Sequence, residues 1–257
     1  MNKSRKTKLL STGAIFGAIV ISVGTLAMSK KLRNNKLRKR LVHEKYFTGK
    51  IRKFGTLYLD DEKQKKPVDF LGFEDIPEYM GQKIEIRDTD KNDKNKLSWI
   101  EINNNDKKLL ICDRNILKQI SWDELNEQGL IFGKVVLIDC KKYILRLLTG
   151  DDENKDYTLN EWDRYIVNIE NIIDLPICAD YDKDNNSKEE ESVEKLNGDN
   201  NNLWNWYKFS SITQNECLRN QKCIIVRGFY SAIYSNQSDK DLKYETVGYR
   251  PILELIE

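Results

Sequence analysis

Histidine is nearly missing from this 257-residue chain, which has one, His43. Chemistry that depends on an imidazole acid, base or ligand set is thereby almost excluded. Acids are missing from the first 40 residues, which hold 11 of the 43 Lys and Arg residues. That leaves 32 bases against 41 acids, a net charge of −9, on the other 217 residues. A body of that sign lacks the basic face that phosphate neutralisation needs, so no nucleic-acid partner is expected. Five cysteines (Cys112, Cys140, Cys178, Cys217, Cys223) are an odd number without tight spacing, and read as reduced thiols more than as a disulfide framework. No internal repeat of roughly 20 to 50 residues is visible. The sequence is nevertheless 39% hydrophobic and 10% aromatic, enough for one or two domains with a proper core.

One stretch lacks charge altogether. Residues 9–28 are uncharged and apolar, long enough as a helix to cross roughly 30 Å of hydrocarbon. They predict a transmembrane helix between a basic tail (1–8) and a basic juxtamembrane segment (29–44). A cleavable signal peptide is the competing reading; Thr25 and Ala27 make a poor cleavage site for it. The bases after the span (Lys30, Lys31, Arg33, Lys36, Arg38, Lys39, Arg40) outnumber the four before it, which leans the body toward the cytoplasm, where the cluster would meet anionic lipid headgroups. Display on the cell surface is the runner-up. Gly13 and Gly17 are spaced for close helix approach, and so for a homodimer.

Residues 45–109 alternate apolar and polar positions in YFTGKIRKFGTLYLDD, KIEIRD and KLSWIEI, and predict a small β-rich module. The turn from Asp88 to Asn95 is acidic but lacks a calcium loop's closing Glu, so it reads as solvated. In SWDELNEQG, Ser121 and Glu124 have capping-box spacing and Gly129 stands where a helix would end. A hairpin turning near Asp139 to Lys142 is expected next. A second capped helix should follow, with Thr158 and Glu161 as its box and Trp162, Tyr165 and Ile166 on one face. Residues 179–202 are acidic and almost without apolar side chains, and predict a disordered insertion. Within it, Asp180, Asp182, Asp184 and Glu191 have EF-hand spacing, but Asn185 replaces the required glycine.

The ordered series SWDELNEQGLIFGK, YILRLLTG, NEWDRYI, LWNW, RGFYSA and VGYRPILEL resembles the C-terminal domain of a group of uncharacterised bacterial and phage-type proteins. These are similar in turn to the formylglycine-generating-enzyme branch of the C-type-lectin fold, including the variable domains of diversity-generating retroelements. The resemblance covers about residues 110–257. It implies an α+β fold: a C-type-lectin-like domain at 110–257, after the transmembrane helix and the β-rich module. The enzymes of that branch carry a cysteine pair just after the RG turn, where this chain has Phe229, Tyr230, Ser231, Ala232, Ile233 and Tyr234, and no cysteine follows Cys223. No enzyme and no cofactor are therefore expected. The calcium-and-sugar tripeptides of the lectins are missing too, and Trp204-Asn205-Trp206 ends in Trp where Asp is needed, so no metal is expected.

In the variable domains, the stretch between the RG turn and the GYRP-like motif supplies ligand contacts. The corresponding residues are Tyr230, Tyr234, Asn236, Gln237, Ser238, Lys240 and Tyr244. Tyrosine and small polar residues suit an adaptable contact surface, though an ordinary polar connection would look the same. Trp204 and Trp206, with Tyr207 and Phe209, are either an added aromatic platform or core filling. Arg227 and Arg250 read as structural, pairing with carboxylates or carbonyls around a sheet. The expectation is a membrane-anchored, non-catalytic protein that recognises a protein or glycan; the alternative is a membrane-anchored structural protein whose lectin-like domain serves assembly or homo-oligomerisation.

Overall fold

The chain divides into two units, Met1–Tyr46 and Phe47–Glu257. The computed structural model describes residues 47–68, 74–103, 107–150, 160–168, 172–173, 175, 201, 203–218 and 220–256, all within the second unit. Fourteen strands are seen among them: β1 (Phe47–Leu59), β2 (Glu62–Lys63), β3 (Ile84–Arg87), β4 (Lys96–Asn103), β5 (Lys108–Cys112), β6 (Leu117–Lys118), β7 (Lys134–Ile138), β8 (Lys141–Arg146), β9 (Ile172–Ile173), β10 (Ser210–Cys217), β11 (Asn220–Gly228), β12 (Ser235–Asp239), β13 (Val247–Tyr249) and β14 (Ile252–Ile256). One short helix, α1 (Trp122–Glu127), and a π-helical turn (Asp163–Val167) accompany them.

Two expectations need correction. Strand accounts for 48% and helix for 10% of the described structure, so the α+β class gives way to a mostly β fold. Among the described residues no helix is long and apolar enough to cross a membrane. The single-pass membrane assignment, made on 9–28 alone, is withdrawn; that segment and its basic flanks lie outside the described residues. So do most of the acidic stretch 179–202, its EF-hand-like spacing and Cys178.

The larger sheet runs β2-β1-β4-β5-β14-β8-β7, with β3 and β9 also pairing with β1. The expected boundary between residues 109 and 110 falls inside β5, and strands from both sides of it share this sheet. Its curvature begins in β1, where the pairing with β4 shifts register between Lys53 and Thr56. Gly55 sits in the bulge at φ +64°, a conformation glycine takes without strain. Beyond it β1 pairs with β3, and the β7–β8 turn is tied to the end of β3: Asp139 Oδ1 accepts from the Thr89 backbone N–H at 2.9 Å, and the Asp139 N–H donates to Asp88 Oδ1 at 2.7 Å. The sheet thus curls into a half-barrel. Loop 88–95 is spent on its own turns and on Lys63, Lys53 and Lys96.

Strand alternation divides the apolar residues between two cores. Leu97 and Trp99 of β4, Leu110 and Cys112 of β5, Tyr143 and Leu145 of β8 and Leu253 of β14 face one, inside the half-barrel; Ile100, Ile102, Leu109, Ile111 and Ile252 face the other. Trp99 is fully buried and satisfies its indole by donating to the Phe54 carbonyl at 2.6 Å. The smaller sheet, β12-β11-β10-β13-β6, adds Ile212, Ile224, Val226 and Tyr249 to the first core. The second core is roofed by Trp162, just before the π-helical turn, by Tyr165 and Ile166 within it, and by Leu203, Trp204 and Trp206.

Local readings fare unevenly. Ser121 caps α1 and both halves of its capping box with Glu124 form; the chain leaves the helix at Gly129, φ +73°. The hairpin turns at Asp139 and Cys140, both at positive φ, as the right-handed twist of a two-residue turn requires. At the second helix the cap is different: Asn160 Oδ1 accepts the Asp163 N–H at 2.8 Å, while Glu161 turns away to Arg146 and to Thr149. Thr158 lies outside the described residues.

Candidate functional site

Charge is buried at the junction of the two sheets. Arg227, at the end of β11, donates to Asp163 Oδ1 of the π-helical turn and to the Gly150 carbonyl at 3.4 Å. Arg250 donates to Ser211 Oγ and to the carbonyls of Cys112, Asp113 and Asn205 at 2.9 to 3.3 Å. Burial lowers its pKa to about 10, still charged at neutral pH. Arg146 takes Glu161 with both ends of its fork, at 2.7 and 2.6 Å, and Glu254 at 3.0 Å. Glu101 is buried inside the half-barrel; burial pushes its pKa up, but hydrogen bonds from Arg52, Asn103 and Lys108 outweigh that and hold it at about 2. These charges are committed to one another and to backbone. The cysteine thiol in this region is just as constrained, since burial pushes the Cys112 pKa up to about 12. Among the described residues no group of three or more His, Cys, Asp and Glu converges as a metal site would need.

Three residues past Arg227 the situation reverses. Gly228 and Phe229 both take positive φ, +91° and +97°. For a bulky side chain this is an uncommon and costly conformation, kept only where the surroundings enforce it. They do: the Phe229 N–H donates to the Trp206 carbonyl at 2.9 Å, and its carbonyl accepts the Lys208 N–H at 2.7 Å. The Gly228 N–H then reaches the Tyr234 carbonyl at 3.0 Å, and the Tyr234 N–H the Ser231 carbonyl at 3.1 Å, closing residues 228–234 into a tight loop. Ala232 plugs the loop into the second core, and its carbonyl accepts the Trp162 indole N–H at 2.8 Å. Outside this anchor lie Tyr230, 58% exposed, and Ile233, 53% exposed. The rings of Phe229, Tyr230 and Tyr234 meet edge to face, with centroids 4.7 and 5.0 Å apart. The product is an aromatic and aliphatic ledge displayed on a fixed loop.

The structure brings some of the expected contact residues together and scatters others. Tyr230 and Tyr234 form the ledge. Asn236 and Ser238 lie opposite Val226 and Ile224, on the first-core face of the small sheet, whereas Gln237 lies opposite Ile225 on the other face. Residues directly opposite in an antiparallel pair share a face, so these three cannot form one surface. β12 is a free edge, and its own side chains blunt it: Asn236 Oδ1 accepts the Gln237 N–H at 2.9 Å and the Ser238 hydroxyl donates to the Asp239 carbonyl at 3.4 Å. Lys240 pairs with Glu216 at 2.8 Å and lies over the Trp122 ring, a fixed structural position. Tyr244 is exposed, in the loop before β13. Trp204 and Trp206 are buried in the second core, so they fill it and form no platform.

Phe229 and Ile233 escaped the reading of the sequence. Nothing in FYSAIY distinguishes an outward isoleucine from an inward one; only the burial of the intervening Ser231 and Ala232 does. No family model matches the chain, and no curated protein and no solved structure matches it either.

Proposed function

We propose that the chain is a non-catalytic recognition protein and that the ledge of Phe229, Tyr230, Ile233 and Tyr234 is its contact surface. The observation that carries this is the coincidence of a strained turn, tied at Gly228, Phe229 and Tyr234 by backbone hydrogen bonds, with two large exposed side chains on the loop it opens. Strain kept beside exposed aromatic residues fits a binding role better than a packing role, because packing would bury them. A protein ligand fits better than a glycan: an exposed isoleucine beside Tyr230 offers apolar area and no hydrogen bonds to hydroxyls. The same stretch carries ligand contacts in the variable domains that the closing half resembles.

The test compares proteins captured from cell extracts by the full chain and by its Tyr230→Ala/Ile233→Ser variant, at matched thermal stability. The reading requires a partner kept by the parent chain and lost by the variant. A partner held equally by both, or binding confined to a glycan array, overturns it.

Homo-oligomerisation has an observation of its own. Val135 and Leu137 are exposed on one face of β7, and Phe132 is exposed just before it. Sedimentation of Leu137→Lys against the parent chain separates the two readings, since only assembly through β7 would be lost.

A further inference from the structure

The strands β10 and β11 pair as Glu216 with Ile224, and one step further along both strands come Cys217 and Cys223. A bulge intervenes there, so that Asn220 takes the pairing with Cys217 while Cys223 stays beside it. The two cysteines and Ile225 form a small cluster of their own, apart from both main cores, and the two thiols lie within hydrogen-bonding reach of each other. Two polar side chains flank Cys223. Asn220 Nδ2 donates to its Sγ at 2.9 Å, a contact that stabilises charge on the sulfur, and its thiol donates to Asp239 Oδ1 at 3.3 Å. The turn beside the pair is open to solvent: Leu218, Asn220, Gln221 and Lys222 are all exposed.

We propose that Cys217 and Cys223 are a redox-active dithiol that closes to a disulfide on reaction with a small disulfide such as oxidised glutathione. One thiolate attacks the glutathione disulfide, forming a mixed disulfide and releasing one glutathione thiolate. The second thiolate attacks the protein sulfur of that mixed bond and releases the other. Two protein thiols and one glutathione disulfide give one protein disulfide and two glutathione thiols; the two protons pass through solvent to the released thiolates. Burial and Asp239 both raise the Cys223 pKa, so the exchange speeds up as pH rises above neutral. Closure removes the hydrogen bond from Cys223 to Asp239 and with it one tie between β11 and the end of β12. The site is independent of the ledge and of the recognition reading.

The experiment equilibrates the full-length chain in glutathione buffers of increasing oxidised fraction, quenches by alkylation, and maps tryptic peptides. Arg219 and Lys222 lie between the two cysteines, so trypsin leaves the two halves joined only if the disulfide is present. The expected result is a linked pair of peptides, lighter by two hydrogens than their sum and lost on reduction, with none in Cys217→Ser or Cys223→Ser. Both thiols alkylated throughout, each carrying its own glutathione, or either one joined instead to Cys112, Cys140 or Cys178, overturns the proposal. The parent-chain map decides this even if a serine variant fails to fold.

Discussion

Arg227 and Tyr230 are three residues apart and have opposite fates. The arginine is buried, and its charge is taken up by Asp163 and the Gly150 carbonyl; the tyrosine stands in solvent on a loop tied down by hydrogen bonds at Phe229 and Tyr234. What separates them is the turn at Gly228 and Phe229, which ends the strand and carries the chain out of the junction. A buried guanidinium paired with a buried carboxylate is out of a ligand's reach, whereas a large exposed side chain on a fixed backbone gives contact area at little entropic cost. The buried charges of this junction therefore belong to the scaffold, and the apolar crest is the surface proposed to bind.

The sharpest way to break that contrast is to remove one member of the buried pair. Asp163→Ala leaves the Arg227 guanidinium uncompensated and should cost about 3 to 5 kcal/mol, read as a fall in the thermal unfolding midpoint. The double change Arg227→Met/Asp163→Leu should recover most of it. If single and double variants unfold alike, the ion pair is not what fixes the π-helical turn against β11.

Acid acts next, on Glu101. Its folded pKa of about 2 lies below the ordinary 4.5, so its stabilisation is fully present above 4.5 and is lost as pH falls toward 2. The difference corresponds to about 3 kcal/mol at neutral pH. Urea unfolding of the parent chain and of Glu101→Gln should therefore differ most at neutral pH, and the two should converge as pH falls to about 2. A gap that persists at low pH would mean that shape, not charge, makes Glu101 matter. The ledge carries no carboxylate and should be indifferent over the same range.

Legibility in the sequence followed the range of the interactions. The cap at Ser121, the turn at Asp139 and the paired roles of Arg227 and Arg250 were readable because each depends on a few neighbours or on one strong chemical preference. The fold class was not. Motifs in the closing half suggested helices around a small sheet, yet β14 pairs with β5 and β8, across more than 100 residues of chain, and no local pattern announces that register. The proposed contact surface was half readable. Tyr230 and Tyr234, expected as contacts, do lie together on the ledge, but Asn236, Gln237 and Ser238 were grouped as neighbours in sequence when a strand's alternation sends them to two faces. Cys217 and Cys223 looked unrelated for the converse reason: a bulged hairpin brings together residues whose spacing matches no known pair.

A cap gives a smaller effect than either buried charge. Ser121→Ala removes the hydroxyl that accepts the Glu124 N–H at 3.2 Å and should cost about 1 kcal/mol by thermal unfolding. Ser121 is itself buried, so this change belongs with the scaffold and should leave ligand capture by the ledge unaltered.

The smallest effect on stability is expected where the effect on binding is largest. Tyr230 is 58% exposed, and its ring meets those of Phe229 and Tyr234 edge to face. Tyr230→Ala forfeits two edge-to-face contacts at a surface where water replaces most of what is lost, so unfolding should shift by no more than about 0.5 kcal/mol. Capture of a partner should fall at least tenfold, because a half-exposed aromatic at the crest of a rigid loop is the kind of residue whose truncation costs about 2 kcal/mol or more in an interface. If Tyr230→Ala instead destabilises the chain by several kcal/mol, the ring is holding the strained turn at Phe229 in place. The ledge would then belong with Arg227 to the scaffold, and the line drawn between the two would vanish.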